Sequence, residues 1–270
     1  MGRKLLFCVL AVALTIPFLG ALETVAAMRV AVEDGTGRGG GAATVDQLNN
    51  DTWFDFDATL VSAGDIDTEA ELAEYDCVVI GGSGWNDADW TASMAAALRA
   101  FVESGGGLVA TGWVNFEIRG DQGEDADLEY LVPGNNVPSV NEFQDGSIPI
   151  DILVAHPVTD GLSNFAHGAS FNEVNRQGLE GDDTLLAAIE GAPGDHCVIV
   201  KEALVEGRTA FVGPIYLADT SQYNTAPLRS GDADRLLEQA VAWACGEGPV
   251  PTLNVSWGDI KSSYQDATNE

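Results

Sequence analysis

The chain has 270 residues, and its 12 lysine and arginine side chains face 42 aspartates and glutamates, a formal net charge of −30. That balance excludes nucleic acid and anionic membrane surfaces as partners, because both carry the same sign and are repelled at long range. The length fits one large domain or two small ones, and the pattern along the chain selects one.

At the amino terminus Arg3 and Lys4 precede an uncharged, mostly apolar run from Leu5 to Leu22, broken by Pro17 and Gly20 and followed by small residues at Val25 and Ala27. This is the pattern of a secretory signal peptide over 1–27, with cleavage expected after Ala27 and a secreted or periplasmic product. Cleavage removes Arg3, Lys4 and Glu23, leaving 10 basic and 41 acidic side chains, or −31. Cys8 lies too early to anchor a lipid. No later run approaches the roughly 20 apolar residues a spanning helix needs, so no membrane insertion is expected after cleavage.

Met28 to Val32 reads as a first strand, followed by a glycine-rich turn and a helix near Ala42 to Asn49. Phe56 to Ser62 is a second strand, Thr68 to Glu74 a short acidic helix, and Cys77 to Ile80 a third strand. These strands are continuous apolar runs rather than alternating ones, which indicates a sheet covered on both faces. From Ala88 to Ser104, Trp90, Met94, Ala97, Leu98 and Phe101 recur at helical spacing, and Gly105-Gly106-Gly107 stops the helix. Leu108 to Thr111 is the fourth strand. Strands alternating with helices give a parallel, doubly wound sheet with a crevice at the carboxyl ends of its strands.

From Gly112 to about Gly146 the pattern dissolves into polar chain, expected as an irregular excursion over that edge. Ile148 to Val154, Thr184 to Ile189, Cys197 to Lys201 and Thr209 to Val212 read as further strands, with a hairpin at Glu206-Gly207. Ala233 to Cys245 is the closing helix. The domain is expected over 28–246, with 247–270 as a loosely attached tail.

Cys77, Cys197 and Cys245 survive cleavage, an odd number that cannot all pair within one chain. Cys77 reads as a small buried hydrophobe. A Cys197–Cys245 bridge is compatible with an oxidising compartment, although spacing does not select it. The acidic cluster from Asp121 to Asp127 lacks the alternating ligands of a calcium loop, so the charge reads as a solvated acidic shell rather than a metal site.

The string Tyr75-Asp76-Cys77-Val78-Val79-Ile80-Gly81-Gly82, followed by Leu98 to Ala110 with its glycine run, resembles the class I glutamine amidotransferase-like superfamily. Within it the likeness is to trehalose-utilisation-type, ThuA-like, domains: His156-Pro157-Val158-Thr159-Asp160-Gly161-Leu162 is similar to a segment of theirs, and Val198 to Gly213 to their penultimate hairpin. The likeness spans most of 28–245. It implies a three-layer flavodoxin-like α/β domain with a mostly parallel sheet and a C-terminal β-hairpin plus helix. In amidotransferases of that superfamily a nucleophilic cysteine sits on a strained elbow after the fourth strand. Here that position falls at about Gly112-Trp113, and Gly213-Pro214-Ile215-Tyr216 stands where the activating histidine and glutamate would be sought. A triad needs all its members, so the resemblance implies an amidotransferase-like domain without amidotransferase chemistry.

Two other motifs point elsewhere. Gly35-Thr36-Gly37-Arg38-Gly39-Gly40 matches a dinucleotide fingerprint, with Asp65 or Asp67 near the end of the next strand, but Glu33 and Asp34 sit where a pyrophosphate would approach. No cofactor is expected. Ser83, after Gly81-Gly82, lies at a strand-to-helix turn, yet Trp85 holds the position where a hydrolase elbow needs glycine. His156, His167 and His196 form no metal-binding spacing, and no metal is expected.

What remains for the crevice is Glu33, Asp34, Ser83, Trp85, Trp113, Asn115, Glu117, Arg119 and Tyr216. Flat rings among carboxylates and amides suit a sugar ring, whose faces stack while its hydroxyls are hydrogen-bonded. The sequence thus predicts a non-catalytic module for a small molecule, a carbohydrate among the candidates, or for another protein. The rival is a carbohydrate hydrolase or isomerase using crevice carboxylates and a histidine.

Overall fold

The computed structural model describes residues 26–33, 40–50, 52–82, 90–119, 126–134, 141–143, 148–167, 173–175, 179, 181–218 and 223–246. The expected signal peptide, apart from Ala26 and Ala27, and the expected tail lie outside them. In chain order the elements are β1 (Met28–Glu33), α1 (Gly40–Leu48), β2 (Phe56–Val61), α2 (Glu69–Leu72), β3 (Cys77–Ile80), α3 (Ala92–Glu103), β4 (Gly107–Thr111), α4 (Val114–Arg119) and α5 (Ala126–Leu131). They continue with β5 (Asn141–Phe143), β6 (Ile148–Ile152), β7 (Phe165–His167), β8 (Glu173–Asn175), β9 (Asp183–Ile189), β10 (Ala192–Leu204), β11 (Gly207–Val212) and α6 (Gly231–Ala244).

The sheet runs β2-β1-β3-β4-β11-β10-β9-β6-β7, with β5 and β8 paired beside β10. From β2 to β11 every pairing is parallel. From β11 to β7 every pairing is antiparallel, beginning with the β10–β11 hairpin. Neighbouring residues of the parallel strands feed opposite cores: Val30, Val32, Val79 and Val109 pack with Leu48 of α1 and Leu236, Leu237 and Val241 of α6. Ala31, Val78, Ile80, Leu108 and Ala110 pack with Leu72, Met94, Leu98, Ile118 and Leu131 from α2 to α5. The period-2 geometry of a strand makes each apolar run serve both helical layers, which is why these strands read as unbroken hydrophobic stretches.

Local signals fix the ends of the helices. Thr68 caps α2 in a reciprocal box with Glu71, and the Thr91 hydroxyl accepts from the Met94 amide at the start of α3. After α3 the chain reverses at Gly105 with φ of 111°, a backbone that β-carbons oppose.

The excursion expected to be irregular contains structure: α4 and α5 form within it, and β5 lies at its far end. Val114, Ile118, Leu128 and Leu131 join the second core, so packing stabilises two helices too short to persist by propensity. The cysteine pairing also differs from the one the sequence allowed. Cys77 bonds Cys245, with Cα atoms 5.0 Å apart, and Cys197 is a buried thiol outside the bridge. The end of α6 arrives over the start of β3, a long-range placement that no local spacing encodes. Among the described residues no helix is long and apolar enough to cross a membrane.

Candidate functional site

Strand order reverses at β1, which has β2 on one side and β3 on the other, so a crevice opens at the carboxyl ends of β1, β3 and β4. Register aligns these ends: Val32 pairs with Val79, and Ile80 pairs with Ala110. Glu33 closes β1 there, 1% exposed, its carboxylate accepting from the Trp90 indole N–H at 3.0 Å. Two strand spacings, about 10 Å, separate it from the end of β4.

Beyond β4 the chain turns sharply. Trp113 has φ of 76°, in the left-handed region, and the next residue opens α4. A non-glycine residue there is held against a local preference that costs of order 1–3 kcal/mol and needs surrounding packing to persist. That packing is visible: the Trp113 ring meets Phe116 edge-on at 5.3 Å and Tyr223 at 5.9 Å, over Ile215 and Ala218. The elbow falls where the sequence resemblance located it, and an aromatic side chain stands on it.

The Gly81-Gly82 dipeptide fits between these groups. A β-carbon on Gly82 would lie 2.5 Å from Cγ of Glu117 and 2.8 Å from the Trp113 carbonyl; one on Gly81 would lie 2.6 Å from the Thr111 hydroxyl. Only glycine permits that approach. Asn115 and Glu117 are fully buried. On the other flank, Gly112 donates its N–H to the Pro214 carbonyl at 3.2 Å, and Glu173 donates its amide to the Gly213 carbonyl at 2.8 Å. The fully buried Glu173 thus reaches the neighbourhood of the elbow through β8.

Of the sequence-predicted residues, Glu33, Trp113, Asn115 and Glu117 come to this end of the sheet. Asp34, Ser83, Trp85 and the side chain of Arg119 lie outside the described residues. Tyr216 is placed elsewhere: it is wholly buried in the core under α6, its hydroxyl donating to the Ala233 carbonyl at 2.5 Å, and burial pushes its phenol pKa up. Its own carbonyl accepts from Arg229, whose pKa burial brings down to about 10 and whose other contacts are Thr44 and Gln47 beneath α1. Thr111, Trp90, Phe116, Tyr223 and Glu173 were not foreseen as neighbours of the site. Thr111 and Trp90 could have been found from their places at a strand end and a helix start; Glu173 lies in a three-residue strand without periodicity.

The histidines serve the scaffold. His156 Nδ1 accepts from the Val158 amide at 3.2 Å, Nε2 stands 3.4 Å from Glu202, and the ring meets Trp243 edge-on at 5.1 Å. Trp243 adjoins Ala244, whose carbonyl packs against Gly107 at the start of β4, so His156 is at the opposite end of the sheet from the crevice. His167 is 3% exposed, and burial lowers its pKa to about 4. Burial also lowers the pKa of His196. A separate groove of about 190 Å³, lined by Pro149, Ile150, Asn164, Phe165, Ala166 and Glu190, lies at the antiparallel edge and shares no residue with the crevice.

No protein-family model and no curated relative matches the chain. Solved structures share its fold. A ThuA-like protein from Bacteroides uniformis ATCC 8492 aligns with a TM-score of 0.58 at 15% identity, over 80% of this chain and 91% of the other. A GMP synthase protein from Thermoplasma acidophilum aligns with a TM-score of 0.50 at 12% identity, over 91% of this chain and all of the other, 100%. The carbohydrate deacetylase Agd3 aligns with a TM-score of 0.52 at 9% identity, over 82% of this chain and 32% of its own. Together they show a three-layer, flavodoxin-like α/β fold, the architecture of ThuA-like and glutamine amidotransferase-like proteins.

Proposed function

We propose that this chain is an exported, non-catalytic amidotransferase-like domain that binds a small polar molecule, of the carbohydrate class, at the carboxyl ends of β1, β3 and β4. The observation that carries the reading is Trp113 on the left-handed elbow: the backbone position that resembling enzymes give to a nucleophile holds a side chain suited to stacking rather than attack. Asn115 and Glu117, two and four residues further on, supply amide and carboxylate groups of the kind that orient hydroxyls. The ThuA-like and deacetylase neighbours support the saccharide class by analogy of fold. Export is supported by the leader pattern and by the Cys77–Cys245 bridge, which suits an oxidising compartment.

The test is a thermal-shift screen of the mature protein against mono- and disaccharides. A sugar present at 100 times its dissociation constant stabilises the fold by about 2.7 kcal/mol. Trp113→Ala should abolish that shift while leaving a folded protein. Absence of a shift with every sugar in the wild type would remove the reading.

A second reading is favoured by the buried carboxylates at this end of the sheet, Glu33, Glu117 and Glu173: a carbohydrate hydrolase or isomerase needs a pair of acids in distinct environments. Turnover of a sugar that binds, lost in Glu117→Gln with binding retained, would replace the first reading with this one.

A further inference from the structure

Thr111 closes β4 with its side chain fully buried and its hydroxyl without a hydrogen-bond partner in the structure. Its direction is fixed by its neighbour, because a β-carbon on Gly81 would lie 2.6 Å from that oxygen. It therefore points at the carboxyl end of β3, on the floor of the crevice. Asn115, on the far side of the elbow, is equally buried, and neither its amide oxygen nor its amide nitrogen has a partner. Each such group carries a desolvation cost of about 1–3 kcal/mol, and isosteric apolar replacements would remove it. Nothing in the packing of the strand or the helix requires a hydroxyl or an amide at these two places.

We infer that Thr111 and Asn115 form a subsite that recognises a neutral, hydroxyl-bearing ligand and discriminates against a phosphorylated one. The inference rests on the crevice-binding reading above and adds to it a residue, Thr111, and a ligand charge. The chemistry follows from the unmet groups. Thr111 offers a donor and an acceptor, and Asn115 a donor on Nδ2 and an acceptor on Oδ1. A pair of neighbouring hydroxyls both donates and accepts, and satisfies this set. A phosphate dianion only accepts, so it leaves the Asn115 oxygen and the Thr111 lone pairs unmet. Because both side chains are buried, a ligand that meets them is enclosed, and each lost hydrogen bond is felt fully.

Binding of glucose, trehalose and glucose 6-phosphate to the wild type, Thr111→Val, Thr111→Ser and Asn115→Leu, followed by calorimetry, tests this. The neutral sugars should bind the wild type more tightly than the phosphate ester. Thr111→Val should weaken the bound sugar about tenfold while the unliganded protein melts no lower than the wild type, and Thr111→Ser should restore the affinity. Asn115→Leu should weaken it at least as much. Equal sugar affinity in wild type and Thr111→Val, or tighter binding of the phosphate ester, overturns the inference and leaves the crevice reading standing. If neither sugar nor phosphate ester binds the wild type, the crevice reading falls and this inference with it.

Discussion

The parallel and antiparallel halves of the sheet are built on different principles. In the half from β2 to β11, strands are sandwiched between helices on both faces, and their interior is almost wholly apolar from Val30 through Cys77 to Val109. In the half from β10 to β7, ionisable groups are buried within the strands themselves. Lys201, 2% exposed, donates to the Tyr130 carbonyl at 3.0 Å and stands 3.8 Å from Asp183, which accepts from the Gly134 amide. His167 is enclosed in β7 and His196 in β10. The first half is held by hydrophobic burial, which is additive and insensitive to pH. The second depends on groups whose stability changes with protonation.

The largest effect should come from the first half. Phe211 of β11 is fully buried among α3, β4 and β10 residues, and Phe211→Ala should cost about 3–5 kcal/mol in urea unfolding, through lost burial and the cavity left behind. An effect below about 1 kcal/mol would mean that the parallel half is not the stable body of the domain. Next is the bridge from Cys77 to Cys245, which closes 168 residues of sequence separation. Restricting so long a loop in the unfolded chain contributes about 3 kcal/mol, so Cys245→Ala should lower stability by that amount under oxidising conditions and by little under reducing ones. Equal melting of the wild type with and without a thiol reductant would contradict the pairing.

The same contrast explains what was legible in the sequence. Cys77 to Ile80 and the helix at Ala92–Glu103 were readable because both obey a local period and end at glycine. The strands that became β6, β9 and β10 were located, but their direction was not, since strand direction depends on pairing partners far away in sequence. β7 and β8, with three residues each, carry no period at all. Cys77 read as a hydrophobe because it sits in an apolar run, and its bond to Cys245 depends on where α6 ends in space. The elbow at Trp113 was placed by resemblance to a motif. Tyr216, assigned to the crevice from its position after β11, turns instead into the core, because a strand's alternation does not extend through the Gly213-Pro214 turn that follows it.

The antiparallel half should reveal itself on acidification. Burial lowers the His167 pKa to about 4, against 6.5 in the unfolded chain, so the unfolded state binds the proton first. The contribution is therefore complete above pH 6.5, and it is lost as pH falls from 6.5 towards 4. The difference of about 2.5 pH units corresponds to about 3 kcal/mol at most. His167→Phe should flatten this part of the stability–pH curve, and the diagnostic quantity is the wild-type minus variant difference, because carboxylates titrating below pH 5 are common to both. A difference that does not change between pH 7 and pH 4.5 would show that His167 is solvated, and the contrast between the halves would lose its best support. The smallest effect is the control in the same half: Ile150→Val, next to β7 in register with Phe165, removes one buried methylene and should cost about 1 kcal/mol at every pH. A pH-dependent cost at Ile150 would mean that acid loosens β6 and β7 together rather than acting at the histidine. His167→Phe would then abolish the dependence at both positions, whereas a second titrating group, such as His196, would leave it at Ile150 alone.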